Sequence, residues 1–297
     1  MAQLLEQIIN GIILGGIYAL IAVGYTMVYG IIQLINFAHG EIFMFGAYFA
    51  FLCVTTLGLP FWVALPVSML LCAAMGMLID FVAYRPLRNA PRLSALITAI
   101  GISLVLQNLA RMIWGAEWRI FPPATMPAFL TESISLPGGN AELLYRDIFI
   151  LVLAVLLMVG LNLIIYFTKI GKAMRACAQD KVAAELMGIN TNRVILVTFA
   201  IGSALGAVAG VMVGVREAVE PAMGYYKGVA AFAAAVLGGI GNITGAMLGG
   251  LVLGIAETIG AGYISSGYRI AIAYIIMILV IIFRPSGLLG KSTATRA

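Results

Sequence analysis

The amino-acid sequence predicts an all-α, polytopic transmembrane bundle of about eight to nine membrane segments, one of them broken or re-entrant. Of its 297 residues, 63% are hydrophobic and only 10% charged, against roughly half apolar and a quarter charged in soluble domains. The apolar residues fall in long blocks, at 8–34, 41–58, 60–83, 93–114, 147–167, 194–215, 229–262 and 268–284. Most of these approach the ~20 residues that a helix needs to cross a hydrocarbon core. The pattern is not the short alternation of a transmembrane barrel. The chain suits a single domain, 1–297, with no room for a nucleotide-hydrolysing unit of ordinary size.

The first block follows Met1 to Gln7, which carries Glu6 and no Lys or Arg. It lacks a signal peptide's basic start and is expected to be retained. Orientation follows from the basic residues between blocks. The segment 84–92 holds Arg85, Arg88 and Arg92 with no acid, and 168–193 holds Lys169, Lys172, Arg175, Lys181 and Arg193 against Asp180 and Glu185. The tail adds Arg284, Lys291 and Arg296. The loop 115–146 has Arg119 and Arg146 against Glu117, Glu132 and Glu142. By the positive-inside rule the first three segments are cytoplasmic and that loop is external. The same placement accounts for the net charge of +5 without a nucleic-acid-binding face.

Counting back from 84–92 through three crossings puts the N-terminus outside. Counting forward leaves 216–228 outside, so the block 229–262 either contains two crossings or includes a re-entrant piece. Gly238, Gly239, Gly241 and Asn242 mark the expected break, because Gly and Asn weaken a helix where backbone must bend. In the external loop, Pro122, Pro123, Pro127 and Pro137 precede Gly138 and Gly139, which predicts a compact irregular excursion.

Glycines mark close packing. Gly202, Gly206, Gly210 and Gly214 recur every fourth residue, as do Gly241, Gly245 and Gly249, and Gly11 with Gly15. This spacing lines up one helix face and lets another backbone approach, so these rows are read as helix-packing surfaces before any gating role.

Four polar residues in or beside the apolar blocks are pathway candidates: Asn36, His39, Glu41 and Glu257. Such groups are costly near lipid and face a cavity or a partner. The competing reading puts the junction 36–41 at the cytoplasmic interface, with Glu41 solvated and Asn36 capping a helix. Topology favours that position. Glu257 lies well inside an apolar block, where a hydrogen-bonded structural role competes with a place on the pathway. Arg111 is expected to snorkel to the external interface, and Gln107 and Asn108 to bridge helices.

His39 is the only histidine, and Cys53, Cys72 and Cys177 have no metal-ligand spacing. No catalytic constellation or metal site can be built, and neither cofactor nor disulfide is expected. Gly238-Gly-Ile-Gly241 lacks the lysine of a phosphate-binding loop, so ATP hydrolysis by this chain is not expected.

From 172 to 187 helix formers dominate, Lys181 and Glu185 sit at i,i+4, and Gly188 provides a stop. One face offers Ala173, Ala176, Cys177, Ala183, Ala184 and Met187. Physics alone leaves two readings open: a helix that transmits a partner's motion into the bundle, or one that rests on lipid headgroups.

At this segment the sequence resembles the H-type permease subunit of branched-chain amino-acid ABC importers, and the resemblance covers nearly the whole chain. It rests on Gly16-Ile-Tyr-Ala-Leu20, Tyr29-Gly30 and Asn36-Phe-Ala-His-Gly-Glu41, then on Met174-Arg175, Asp180, Ala183-Ala184 and Gly188-Ile189. Leu237-Gly-Gly-Ile-Gly241, Gly245-Ala246 and Arg284-Pro285-Ser-Gly-Leu288 complete it. The resemblance implies a multi-pass bacterial inner-membrane protein that is no enzyme itself. It implies a heterodimer with a second related permease, two cytoplasmic ATPase subunits and a periplasmic solute-binding protein. The stretch 182–188 is similar to the ATPase-docking loop of importer permeases, which makes Lys172, Arg175, Asp180, Ala183, Ala184 and Gly188 the expected coupling residues. That loop's general pattern begins Glu-Ala-Ala, and Val182 stands where the glutamate would be. Relatives in the wider superfamily carry urea, short amides or ribose-like sugars, the alternative cargo. A secondary transporter or channel would instead need a coupling ion or proton, which the sparse buried acids disfavour.

Overall fold

The computed structural model of the chain describes residues 2–88, 90–135 and 142–290. Pro137, Gly138 and Gly139 of the loop, and Lys291 and Arg296 of the tail, lie outside the described residues. In chain order the helices are α1 (Ala2–Ile32), α2 (His39–Thr55), α3 (Phe61–Ile79), α4 (Arg92–Trp114), α5 (Tyr145–Phe167), α6 (Lys169–Gln179), α7 (Lys181–Leu186), α8 (Thr191–Arg216), α9 (Met223–Gly238), α10 (Ile243–Tyr263) and α11 (Arg269–Phe283). A π-helical turn over Asp80–Tyr84 prolongs α3.

Seven of these are long and apolar enough to cross a membrane: α1, α3 with its π turn, α4, α5, α8, α10 and α11 with the turn before it. Helix α2 is apolar but short, and α9, with Lys227 in its second turn, is shorter still. The 17 residues of α2 and 16 of α9 give about 25 Å of helix each, less than the ~30 Å of a hydrocarbon core. Seven long and two short helices together match the expected range of segments. The block 229–262 resolves into most of α9 and α10, parted at 239–242 where the glycines predicted the break.

Burial separates a centre from a rim. The most apolar stretches of α1 and α8 are 78% and 72% buried, whereas those of α4 and α11 are 17% and 6% buried. Helices on the rim keep apolar side chains outward, as lipid or a partner subunit requires. Arg85, Arg88, the α6–α7 segment and residues 284–290 lie at one end, hereafter the basic end. At the other, Arg216 donates to Asn10 at 2.7 Å and lies 3.5 Å from the Asp147 carboxylate.

The glycine rows lie where backbones meet. A β-carbon built at Gly210 would stand 3.1 Å from the Ala47 nitrogen, and one at Gly214 would stand 2.8 Å from the Phe121 ring. Gly206 faces His39 and Gly202 faces Gly24, so this row of α8 covers α2 and α1. Helix α10 carries two such faces. Gly245 and Gly249 press on Gly238 of α9, while Gly250 and Gly254 interlock with Ala19, Gly15 and Gly11 of α1. The pair Gly250 and Gly254 repeats the four-residue spacing one position out of phase with the row the sequence reading singled out. Gly241 has only Gly30 nearby, with its Cα 3.9 Å from a built β-carbon.

The loop after α4 is compact. Two 3-10 turns, Pro123–Thr125 and Ala128–Thr131, lead to a small antiparallel pair, β1 (Ser133–Ser135) and β2 (Glu142–Leu144), with Ser133 opposite Leu144. Buried Phe121 and Leu130 anchor it. Arg119 and Val219 exchange backbone hydrogen bonds of 2.9 and 2.8 Å, tying the loop to the segment that leads into α9.

Candidate functional site

The site is built where helical backbone fails in the middle of the bundle. Helix α1 ends in a reversal at Gln33, the one non-glycine residue with positive φ (55°) among those described. Residues 33–38 then fold back along the bundle, and α2 starts at His39. The ring of His39 packs against Gly24 and Gly206. Gly24 lies about 12 Å along α1 from its last residue, Ile32, at ~1.5 Å per residue. The first turn of α2 therefore sits deep inside the bundle, well away from the basic end.

This corrects the placement of 36–41 at a solvated interface. Asn36, His39 and Glu41 are 2%, 1% and 1% exposed. Asn36 does not cap a helix; Ala38 holds that position without a side-chain bond. The Asn36 Oδ1 instead accepts a hydrogen bond from the Tyr84 hydroxyl at 3.1 Å. The physical reason is space. Gly24, Gly40, Gly206 and Gly228 remove the side chains that would keep the returning segment out. Irregular backbone at membrane depth is tolerable when protein rather than lipid surrounds it.

A second short helix meets the first. After α8, residues 217–222 lead into α9, whose opening turn touches that of α2. A β-carbon on Gly40 would stand 3.1 Å from Gly228 Cα, and one on Gly224 would stand 2.8 Å from the Gly40 carbonyl oxygen. The N-termini of α2 and α9 thus meet at Glu41, with the His39 and Met223 amides turned to the Asn36 and Glu220 carbonyls. The Glu41 Oε1 accepts from the Ser103 hydroxyl of α4 at 2.9 Å, while Oε2 is buried with no hydrogen-bond partner among the described residues.

Glu41 and Ser103 line a cavity of 410 Å³ with Tyr25, Phe37, Tyr225 and Phe232, flanked by α4 and α11. That size falls within the ~300–1,000 Å³ of small-molecule sites, and its composition, apolar and aromatic with few polar groups, is also typical of them. Tyr25 and Phe232 meet edge to face with ring centres 5.9 Å apart, and Tyr25 also abuts His39 at 4.9 Å.

Of the four pathway candidates, Glu41 alone lines this cavity. His39 instead packs its ring against Gly24, and its Nε2 has no hydrogen-bond partner among the described residues. Glu257 accepts a 2.8 Å hydrogen bond from the Tyr18 hydroxyl between α10 and α1. The sequence reading passed over Tyr25, Ser103, Gly224 and Gly228. Ser103 occupies an outwardly ordinary helix and carries no local signal. Gly224 and Gly228 do repeat the four-residue spacing that marks close contact elsewhere in the chain.

At the basic end the expected single helix over 172–187 is two helices. Asp180 divides them, because its extended backbone (φ −153°) lets Oδ1 accept from the Val182 and Ala183 amides at 2.8 and 3.0 Å. This N-cap starts α7 anew. Glu185 accepts from the Thr191 hydroxyl instead of pairing with Lys181. Gly188 ends the segment at φ 83°, with Ile189 donating to the Ala184 carbonyl at 3.0 Å. Arg175 turns back on α5, donating to the Ile165 carbonyl at 3.1 Å. Lys172 and Ala183 are exposed.

The proposed partner face also changes. Ala184 and Cys177 point into the bundle, at 4% and 2% exposed, whereas Val182, Leu186 and Met187 project at 68%, 83% and 83%. Burial pushes the Cys177 thiol up from its ordinary value, with Glu185 nearby adding to the effect. Arg88 fixes this end by pairing with Asp80 at 2.8 Å and donating to Asn192.

The comparison with protein families matches residues 7–283 to a model described as the permease component of branched-chain amino acid transport systems. The high-affinity branched-chain amino acid transport system permease protein BraD of Pseudomonas aeruginosa is 45% identical, covering 97% of this chain and 96% of its own length. The corresponding Escherichia coli protein, LivH, is 42% identical over the same shares. The E. coli permease LivM, named for the same kind of system, is 26% identical over 92% of this chain and 68% of LivM.

Proposed function

The chain belongs to the family of branched-chain amino-acid transport permeases, and from that premise we propose that it is one membrane subunit of an ATP-driven importer for leucine, isoleucine and valine. It is a multi-pass membrane permease, and the proposal places it in a bacterial inner membrane with the basic end in the cytoplasm. The observation that carries the proposal is the full-length likeness to relatives named for this transport at 45% and 42% identity. The same relatives favour amino acids over amides or sugars. LivH and LivM together support a heterodimer with a second, related permease. ATP is hydrolysed in separate subunits, and a periplasmic binding protein delivers the cargo.

In this reading α6 and α7 receive the ATPase. The outward Val182, Leu186 and Met187 give α7 an apolar contact. Asp180 and Gly188 fix where α7 begins and ends, and Arg175 holds α6 to α5. Lys172 and Ala183 border the contact, and Ala184 seats α7 on the bundle. The glycine rows of α8 and α10 pack helices without lining the path.

Purification in mild detergent should recover the permease with a related permease and an ATPase. Vesicles holding the complex should accumulate leucine only when ATP and binding protein are supplied. Uptake without ATP, or transport of sugars or amides in place of leucine, would overturn the proposal. Within the complex, Leu186→Asp should leave the permease folded and lower ATPase recovery at least tenfold. Ala184→Arg should instead reduce the amount of folded permease, because it buries an unpaired charge at a cost of several kcal/mol.

A further inference from the structure

We propose that Glu41 is the group that receives the ammonium of the amino acid as it crosses the bundle, in the cavity between α1, α4, α9 and α11. The inference rests on the transport reading above and names the contact that reading leaves unassigned. Glu41 is 1% exposed, borders the 410 Å³ cavity, and keeps Oε2 without a hydrogen-bond donor while Ser103 holds Oε1. A buried carboxylate oxygen without a donor is costly, and a cationic N–H donor entering the cavity removes that cost. The cavity's other walls come from Tyr25, Phe37, Phe232 and Met277, apolar surface suited to an aliphatic side chain.

The N-terminus of α9 bears on the same group. Gly224 and Tyr225, in the first turn of the 16-residue α9, border the same cavity. Helix N-termini attract anions through their unpaired amides and the helix dipole. Glu41 Oε2 lies against Gly224, so this terminus favours the Glu41 carboxylate, and the cargo meets the site through its ammonium. A sugar or an uncharged amide has no cation to offer Glu41. The contact must also release its cargo, and a single carboxylate already shared with Ser103 suits transient binding better than a closed cage.

The test uses the complete importer in proteoliposomes, with Glu41→Gln and Glu41→Asp compared with wild type at saturating binding protein. Leucine uptake should fall at least tenfold in Glu41→Gln, while binding-protein-stimulated ATP hydrolysis stays within about twofold. Glu41→Asp should recover part of the uptake. A second measurement uses Val229→Cys on the cavity wall. A cationic methanethiosulfonate should modify it faster than a neutral one, leucine should protect it, and both effects should vanish with Glu41→Gln. Wild-type uptake by Glu41→Gln would overturn the assignment. So would equal loss of assembly in the Gln and Asp variants together with reagent rates that ignore the charge at position 41. A wild-type complex that imports no branched-chain amino acid would instead sink the transport reading itself, which separates the two failures.

Discussion

The chain breaks its helices in two instructive places, at 33–38 between α1 and α2 and at 239–242 between α9 and α10. The second lies at the basic end and is built from glycine and a cap. Gly239 and Gly241 take φ of 100° and 94°, and Asn242 starts α10 by accepting from the Gly245 amide at 3.0 Å. The tail closes over it: Leu288 donates to the Leu237 carbonyl at 2.8 Å, and Asn242 donates to the Leu289 carbonyl at 2.7 Å. The first starts at the same end, at Gln33, and runs inward to the first turn of α2, carrying Asn36, His39 and Glu41. One interruption lets the chain turn and the other brings polar groups to membrane depth. In a membrane protein the composition of a break therefore bears on its purpose, with glycine for turning and buried polar residues for a site.

Substitution by bulk should separate the two most sharply. A side chain at Gly40 meets backbone of α9, with Gly228 Cα at 3.1 Å and the Gly224 carbonyl carbon at 3.3 Å from a built β-carbon. No rotamer relieves a clash of backbone with backbone. Gly40→Leu should leave little monodisperse permease on size-exclusion chromatography, a loss beyond the ~1–3 kcal/mol of ordinary overpacking. At the end break, the Cβ of Gly241→Leu would meet Gly30 Cα at an ordinary 3.9 Å, so the main cost should be the ~1–2 kcal/mol of a left-handed backbone. Equal losses in the two variants would erase the distinction between a deep junction and a terminal one.

Removing a hydrogen bond should give a smaller difference. Asn36→Ala takes away the acceptor of the Tyr84 hydroxyl, leaving it the Ile35 carbonyl at 3.3 Å. The expected cost is about 1–3 kcal/mol for a buried group left poorly satisfied. Thermal melting should record it as a drop of several degrees, at ~2–4 °C per kcal/mol for a chain of this size. In a double-mutant cycle, Tyr84→Phe should recover part of the loss, because it removes the stranded donor as well. Independent effects would show that the pair does not hold the junction.

Much of this architecture was legible in the sequence because its signals are local. Apolar blocks gave the bundle, and Gly238, Gly239, Gly241 and Asn242 gave the terminal break. The depth of 36–41 was not legible, since a polar cluster between two apolar blocks reads as an interface by hydropathy. Only contacts with Gly24, Gly206 and Gly228, distant in sequence, reveal where it sits. The same holds for Glu257, whose partner Tyr18 is 239 positions away. The division at Asp180 was hidden for another reason: strong helix formers on both sides mask one N-cap. The face of α7 followed from that error, because restarting the helix at Asp180 turns Ala184 inward and Leu186 outward.

The smallest expected effect isolates what the tail contributes to the terminal break. Asn242→Asp keeps an oxygen that accepts from the Gly245 amide and adds a negative charge at the α10 N-terminus, favourable by ~0.3–1 kcal/mol. It removes the donor to the Leu289 carbonyl, a bond with a net worth of about 0.5–1.5 kcal/mol. The two changes nearly cancel, so the melting temperature should move by no more than about 2 °C. Hydrogen exchange should nevertheless change where the melt does not. Amides of Leu288 and Leu289, which donate to Leu237 and Gly238, should exchange faster once the side-chain tie is cut, while Gly245 stays protected by its cap. A large fall in melting temperature with unchanged exchange at 288 and 289 would mean that Asn242 stabilises α10 alone. The tail would then follow the turn without holding it closed.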